Sequence, residues 1–143
     1  MTEFRQGVRE REAGSSWSSR KLRELIDEVI RSELVDFPAI EASVVWALRG
    51  SVLIGLLRSA TSTTNQFWLI GGENIATDIA PVSVAKNPKE VARYFSLRWQ
   101  IGVEQLLTLE DRTINNQSSH KRAGELRRMA ESLYMLVETE GIW

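Results

Sequence analysis

The stretch ASVVWALRGSVLIGLLRS, residues 42–59, decides the fold. It holds two apolar runs, Ala42 to Leu48 and Val52 to Ser59, on either side of Arg49-Gly50-Ser51. Short runs rich in β-branched and aliphatic residues, flanking a brief glycine-bearing turn, read as the two strands of an antiparallel hairpin. A third run, Phe67 to Ile70, follows the polar link Thr61 to Gln66, whose length is common between antiparallel strands. The expected sheet is therefore a three-stranded meander. The apolar stretch Ala42 to Leu57 is no membrane span, because it falls short of the roughly 20 residues a bilayer requires and carries Arg49 within it.

Upstream of the sheet, Leu22, Leu25, Ile26, Val29, Ile30 and Leu34 recur at the three-and-four spacing of one helical face. Ser18 or Ser19 is placed to cap this helix and Pro38 marks its exit. Residues 1–16 alternate charges, lack an apolar core and contain Gly7 and Gly14, so they read as a mobile arm rather than a secretion signal. The remainder, residues 17–143, reads as a single domain.

Downstream, Gly71 to Asn87 has two glycines, Pro81 and no helical period. It reads as a long functional loop or as a link holding a short strand through Ile79 to Val84. Then comes the sharpest local signal: Asn87 as N-cap, Pro88 in the first helical position and Glu90 completing a capping box. That helix is expected to run to about Glu110. A second, capped near Ser118 or Ser119, is expected from His120 to about Thr139, after the polar turn Asp111 to Gln117.

Composition removes several chemistries. The 143 residues include no cysteine, which excludes disulfides, thiolate metal sites and cysteine nucleophiles, and the single histidine, His120, excludes a His-based metal triad. Eighteen basic residues against 19 acidic ones leave a formal charge of -1, so no overall field draws nucleic acid or an anionic membrane. Neither Gly71-Gly72 nor Gly50 opens a helix, so no phosphate-cradling loop is present. A cytoplasmic location, no cofactor, no nucleic acid and no membrane partner are the expectations.

Several motifs carry a resemblance. Phe67-Trp68-Leu69-Ile70-Gly71-Gly72-Glu73, Thr77-Asp78, Phe95-Ser96-Leu97-Arg98-Trp99-Gln100 and Glu104-Gln105-Leu106 resemble a small bacterial family of unknown function. The ending, with Ala130, Leu133-Tyr134, Leu136 and Ile142-Trp143, is similar to that family's as well. The resemblance spans roughly Trp46 to Trp143 and implies a fold and a bacterial origin, without an activity.

Among individual residues, Arg98 is the anomaly. Wound as a helix, Val91, Tyr94, Phe95, Trp99, Ile101, Gly102 and Leu106 form an apolar arc with Arg98 inside it, while Arg93, Ser96, Gln100 and Glu104 take the wet side. A guanidinium on a core face needs a carboxylate, since an unpaired buried charge costs several kcal/mol. Asp78 is the expected partner and Glu73 the second choice. One reading is a pocket for an anionic or planar ligand lined by Arg98, Asp78, Glu73, Trp68 and Trp99. The other is a structural ion pair.

His120 is expected at a helix start beside Lys121 and Arg122, with no nucleophile fixed near it. Lys121, Arg122, Arg127 and Arg128 are interrupted by Glu125 and Glu131, which reads as a solvated face, opposite a stripe of Leu126, Met129, Ala130, Leu133, Leu136 and Val137. Of five tryptophans, Trp46, Trp68 and Trp99 fall on core faces. Trp17 and Trp143 lie at the edges, and Trp143 either docks on the domain or serves as a tail read by a partner.

The fold expected from all this is α+β: an N-terminal helix, a three-stranded antiparallel meander and two long C-terminal helices packed antiparallel on it. The first helix, or a second copy in a homodimer, covers the remaining sheet face. With no catalytic constellation, the expected function is a non-enzymatic protein-interaction module, whether adaptor, chaperone-like or immunity-like. The alternative is a small anionic-ligand-binding protein or enzyme centred on Arg98 and Asp78.

Overall fold

A computed structural model of the chain describes residues 15–37, 39–61, 65–110 and 117–143. Its order is α1 (Ser15–Arg31), β1 (Ile40–Leu48), β2 (Val52–Ser59), β3 (Gln66–Gly72), β4 (Ile75–Pro81), a 3-10 turn (Val82–Val84), α2 (Pro88–Glu110) and α3 (Gln117–Val137). The chain divides into two compact units between Pro88 and Lys89.

In the first unit the strands pair antiparallel in the order β1-β2-β3-β4. The sheet is a meander as expected, with four strands and not three. The fourth occupies the segment Gly71 to Asn87, earlier than the alternative strand Ile79 to Val84. Asn74 makes it possible: at φ 63 it takes the left-handed conformation that asparagine tolerates, so Glu73-Asn74 reverses the chain in a tight turn. The β1–β2 turn works the same way through Gly50 at φ 75, closed by Ser51 N–H donating to the Leu48 carbonyl at 2.9 Å.

A bulge between Val44 and Trp46 shifts the register of β1, so that Val44 opposes Gly55 and Ala47 opposes Leu53. The extra residue lets Val44 and Ala47, three apart, share one face of the sheet. That face is covered by α1. Trp17, Leu25 and Val29 join Val44, Ala47, Leu53, Leu57 and Leu69 in a buried cluster, with Leu22, Val35, Phe37, Ile40, Phe67 and Ile79 packed around it. Leu25 fits above Gly71, where a β-carbon would lie 2.8 Å from its Cδ1. Trp46, Val52, Ile54, Trp68, Ile70 and Ala80, on the other side of the strands, are buried as well. Burial of both faces explains why β2 reads as an unbroken apolar run rather than an alternating one.

The helix α1 begins at Ser15, not after a cap at Ser18 or Ser19. Ser18 is inside the helix and almost fully buried. Of the expected arm, residues 1–14 lie outside the described residues. The helix ends before Leu34, in a Schellman motif: Glu33 N–H donates to Ile30 O at 3.1 Å and Leu34 N–H to Val29 O at 3.1 Å, with Glu33 at φ 55.

Helix α2 starts at Pro88, where the capping pattern places it, the rest of it lies in the second unit, and α3 starts three residues before His120. The expected α3 caps, Ser118 and Ser119, have side chains outside the described residues. Gly102 and Leu126 meet, since a β-carbon on Gly102 would lie 2.9 Å from Leu126 Cδ2. Both lie about equally far from the connection between the helices, which is the match an antiparallel pair produces. The buried stripe of α3 is Ala123, Ala130, Leu133 and Val137. Trp143 docks back on that helix, its Nε1–H donating to Leu136 O at 2.9 Å.

Candidate functional site

The apolar stripe of α2 differs from the expected arc. Val91, Ala92, Phe95, Ser96, Trp99 and Val103 are buried, whereas Arg98 and Ile101 are exposed. Ser96, assigned to the wet side, sits inside one edge of the buried stripe, and Arg98 lies beyond the other edge, about 100° from the stripe's centre at Trp99. A small hydroxyl on the buried face was the source of the misreading. The Ser96 Oγ is buried with no hydrogen-bond partner among the described residues. The Arg98 guanidinium stands 5.9 Å from the centre of the Phe95 ring, a cation–π distance. Arg98 is thus no buried charge.

Its two expected carboxylates sit in the first unit. Asp78, on β4 opposite Ile70, accepts the Ile79 backbone N–H through Oδ1 at 2.8 Å. Glu73 is engaged by α1: its Oε2 accepts from Lys21 Nζ at 3.0 Å and from Trp17 Nε1 at 3.3 Å. Lys21 also reaches Glu24 Oε1 at 2.9 Å. The turn Glu73-Asn74 brings this carboxylate to the first turns of α1, so the cluster clasps the helix to the β3–β4 hairpin. Trp68 is likewise committed inside the first unit, its Nε1–H shared between Val82 O and Ala85 O, each at 3.1 Å. Trp99 is buried on α2.

The clasp predicts a pH dependence. Hydrogen bonds from Lys21 and then Trp17 hold the Glu73 carboxyl below the usual carboxylate range, and the hydrogen bonds to Glu24 first and Glu73 second hold the Lys21 amine above its ordinary value. A carboxylate with a depressed folded-state value adds stability above its unfolded value, and that contribution is lost as pH falls through the folded value. Glu73→Gln is therefore expected to flatten part of the acid limb by lowering stability at neutral pH, only slightly because Glu73 is 46% exposed, while matching the parent in acid. Urea midpoints from the neutral range down to the carboxylate range measure this.

Other groups are dispersed. Glu41 and Arg58, opposite one another on β1 and β2, pair at 2.7 Å on the surface. His120, Lys121, Arg122, Arg127 and Arg128 are exposed. No group of three or more His, Cys, Asp or Glu suited to a metal ion occurs among the described residues. No helix among them is long and apolar enough to cross a membrane.

What remains distinctive is the outer face of α2. Leu97 is 50% exposed and Ile101 59% exposed, one turn apart, with half-buried Tyr94 preceding them at the same helical spacing and Arg98 on their flank. The tyrosine ring is set edge-on to Phe95 at 5.3 Å. On α3, Tyr134 and Met135 are also exposed. The exposed Leu97 and Ile101 were legible as apolar residues, but the misplaced arc hid Ile101 in the core.

No curated protein and no solved structure matches the chain. A family pattern matches from the first residue of β1 to the end, residues 40–143, leaving α1 outside it. The chain belongs to the family described as domain of unknown function (DUF4826).

Proposed function

We propose that this protein is a non-enzymatic protein-interaction module whose contact surface is the outer face of α2. The observation that carries the reading is that α2 has two apolar faces. One, through Val91, Phe95, Trp99 and Val103, is buried; the other, Tyr94, Leu97 and Ile101, is half open to solvent. The partner that fits is an amphipathic helix of another protein, its apolar residues against Leu97 and Ile101 and a carboxylate opposite Arg98.

A photo-crosslinking residue at position 101 of the full chain, used in the native cells, tests this. The expected result is one protein captured from position 101 and from position 97, lost on Arg98→Glu and bound again by calorimetry after purification. A capture profile identical to that from exposed Glu138 would contradict the proposal.

The anionic-ligand alternative has less support. Two of the residues it needs, Glu73 and Trp68, are engaged within the first unit by α1 and by the 3-10 turn. A rise in melting temperature with small anions, lost on Arg98→Gln, would favour it instead.

A further inference from the structure

We propose that α1 is an exchangeable cover, and that the sheet face beneath it accepts the α1 of a second copy of this chain, giving a dimer in which the two helices trade places. The inference concerns the seat of α1 and stands independently of the α2 surface.

The seat is shaped for this helix. Leu25 enters the space left by Gly71, Trp17 and Val29 complete the apolar ridge, and the Glu73 carboxylate accepts hydrogen bonds from Trp17 Nε1–H and Lys21 Nζ–H. A second copy carries an identical helix, so every contact is satisfied equally within one chain or between two. What separates the two states is the hinge and the entropy of association.

The hinge is short and strained. After the helix, Val35 and Phe37 are already packed at the core cluster, with the Phe37 and Phe67 rings 5.9 Å apart. The reversal is therefore confined to Ser32, Glu33 and Leu34. At its centre Glu33 holds φ 55, the left-handed position that glycine normally fills at a helix end. Straightening these residues releases that conformation and carries α1 away from its own sheet, and strained short hinges of this kind favour exchange. The family match, which begins at residue 40, places α1 and its hinge outside the shared part of the chain.

The chain's own residues report exchange. Lys21 and Glu73, 3.0 Å apart, can be joined by a carbodiimide without any added group. Heavy-isotope-labelled and unlabelled full-length copies are unfolded together, refolded over a range of concentrations, cross-linked and separated by size. The proposal expects a dimer fraction that grows with refolding concentration and contains Lys21–Glu73 cross-links between heavy and light chains.

Glu33→Gly relieves the hinge in each copy and is expected to lower the dimer formation constant roughly tenfold or more. Glu33→Pro, which forbids a positive φ, is expected to raise it. Only monomer at every concentration, a dimer whose Lys21–Glu73 cross-links always join like isotopes, or a dimer indifferent to Glu33→Gly would each overturn the proposal. The like-isotope result would point instead to pairing through another surface such as α2.

Discussion

Replacing Gly72 by alanine is expected to destabilise the chain by about 3 kcal/mol, the upper range for forcing extra volume into a packed site. Gly72 closes β3 opposite Val52, where β2 leaves its own turn. A β-carbon there would overlap the Ser51 carbonyl oxygen and lie 2.9 Å from the Ser51 carbonyl carbon and 3.0 Å from Val52 Cα. These are backbone atoms, which no rotamer change can move. The same Ser51 oxygen accepts the Glu73 N–H at 2.9 Å, so opening the strands also loosens the Glu73 end of the clasp. Gly50→Ala is the control: nothing lies within 4 Å of its β-carbon, and only the cost of φ 75, about 1 kcal/mol, remains. Urea unfolding of both variants measures the difference, and equal midpoints would show that the strands part freely at Gly72.

Loss of the Trp68 side chain is the second large effect. The indole is buried, and its single donor serves two carbonyls, Val82 O and Ala85 O. It therefore ties the 3-10 turn and its exit to β3. Trp68→Phe keeps most of the ring volume but leaves both oxygens without that donor, at an expected cost of about 1–3 kcal/mol. Trp68→Ala also opens a cavity, and about 3–5 kcal/mol is expected. The ordering of the two variants matters most. If phenylalanine proved as stable as tryptophan, the indole hydrogen bonds would contribute nothing, and the turn would be held by packing alone.

These sites also show where the sequence was informative. The hairpin of β1 and β2 was legible because two unbroken apolar runs flank a single glycine turn. The start of α2 was equally plain, since Pro88 carries a signal that needs no tertiary context. The fourth strand was not. Ala76 and Asp78 are poor markers of a strand and Pro81 closes it, all of which an edge position tolerates because one side of β4 has no strand to pair with. Its existence depends on Asn74 adopting a left-handed turn, one of several conformations open to that residue.

The candidate site was legible in part. Trp68 and Trp99 are buried as their apolar neighbours suggested, and the apolar residues of α2 were all visible. The orientation of α2 was missed because Ser96 looks polar by composition while facing inward, which turned Arg98 from an exposed residue into an expected buried charge. Glu73 was expected as the second-choice carboxylate for Arg98. Its cation proved to be Lys21, because the unrecognised tight turn directs Glu73 toward α1. Trp17 sat at the edge of the expected fold for the same reason: nothing in local sequence says that the β3–β4 turn receives it.

Leu97 and Ile101 stand open to solvent on the face of α2 away from its buried stripe, and that face is the proposed seat of another protein. The paired measurement on the Leu97→Asp, Ile101→Asp chain tests it most directly, with unfolding midpoint and partner cross-linking read on the same preparation. The expected result is a stability within about 0.5 kcal/mol of the parent, as for exposed positions, together with loss of the captured partner. A chain that unfolds much more easily, or one that keeps its partner, would contradict it.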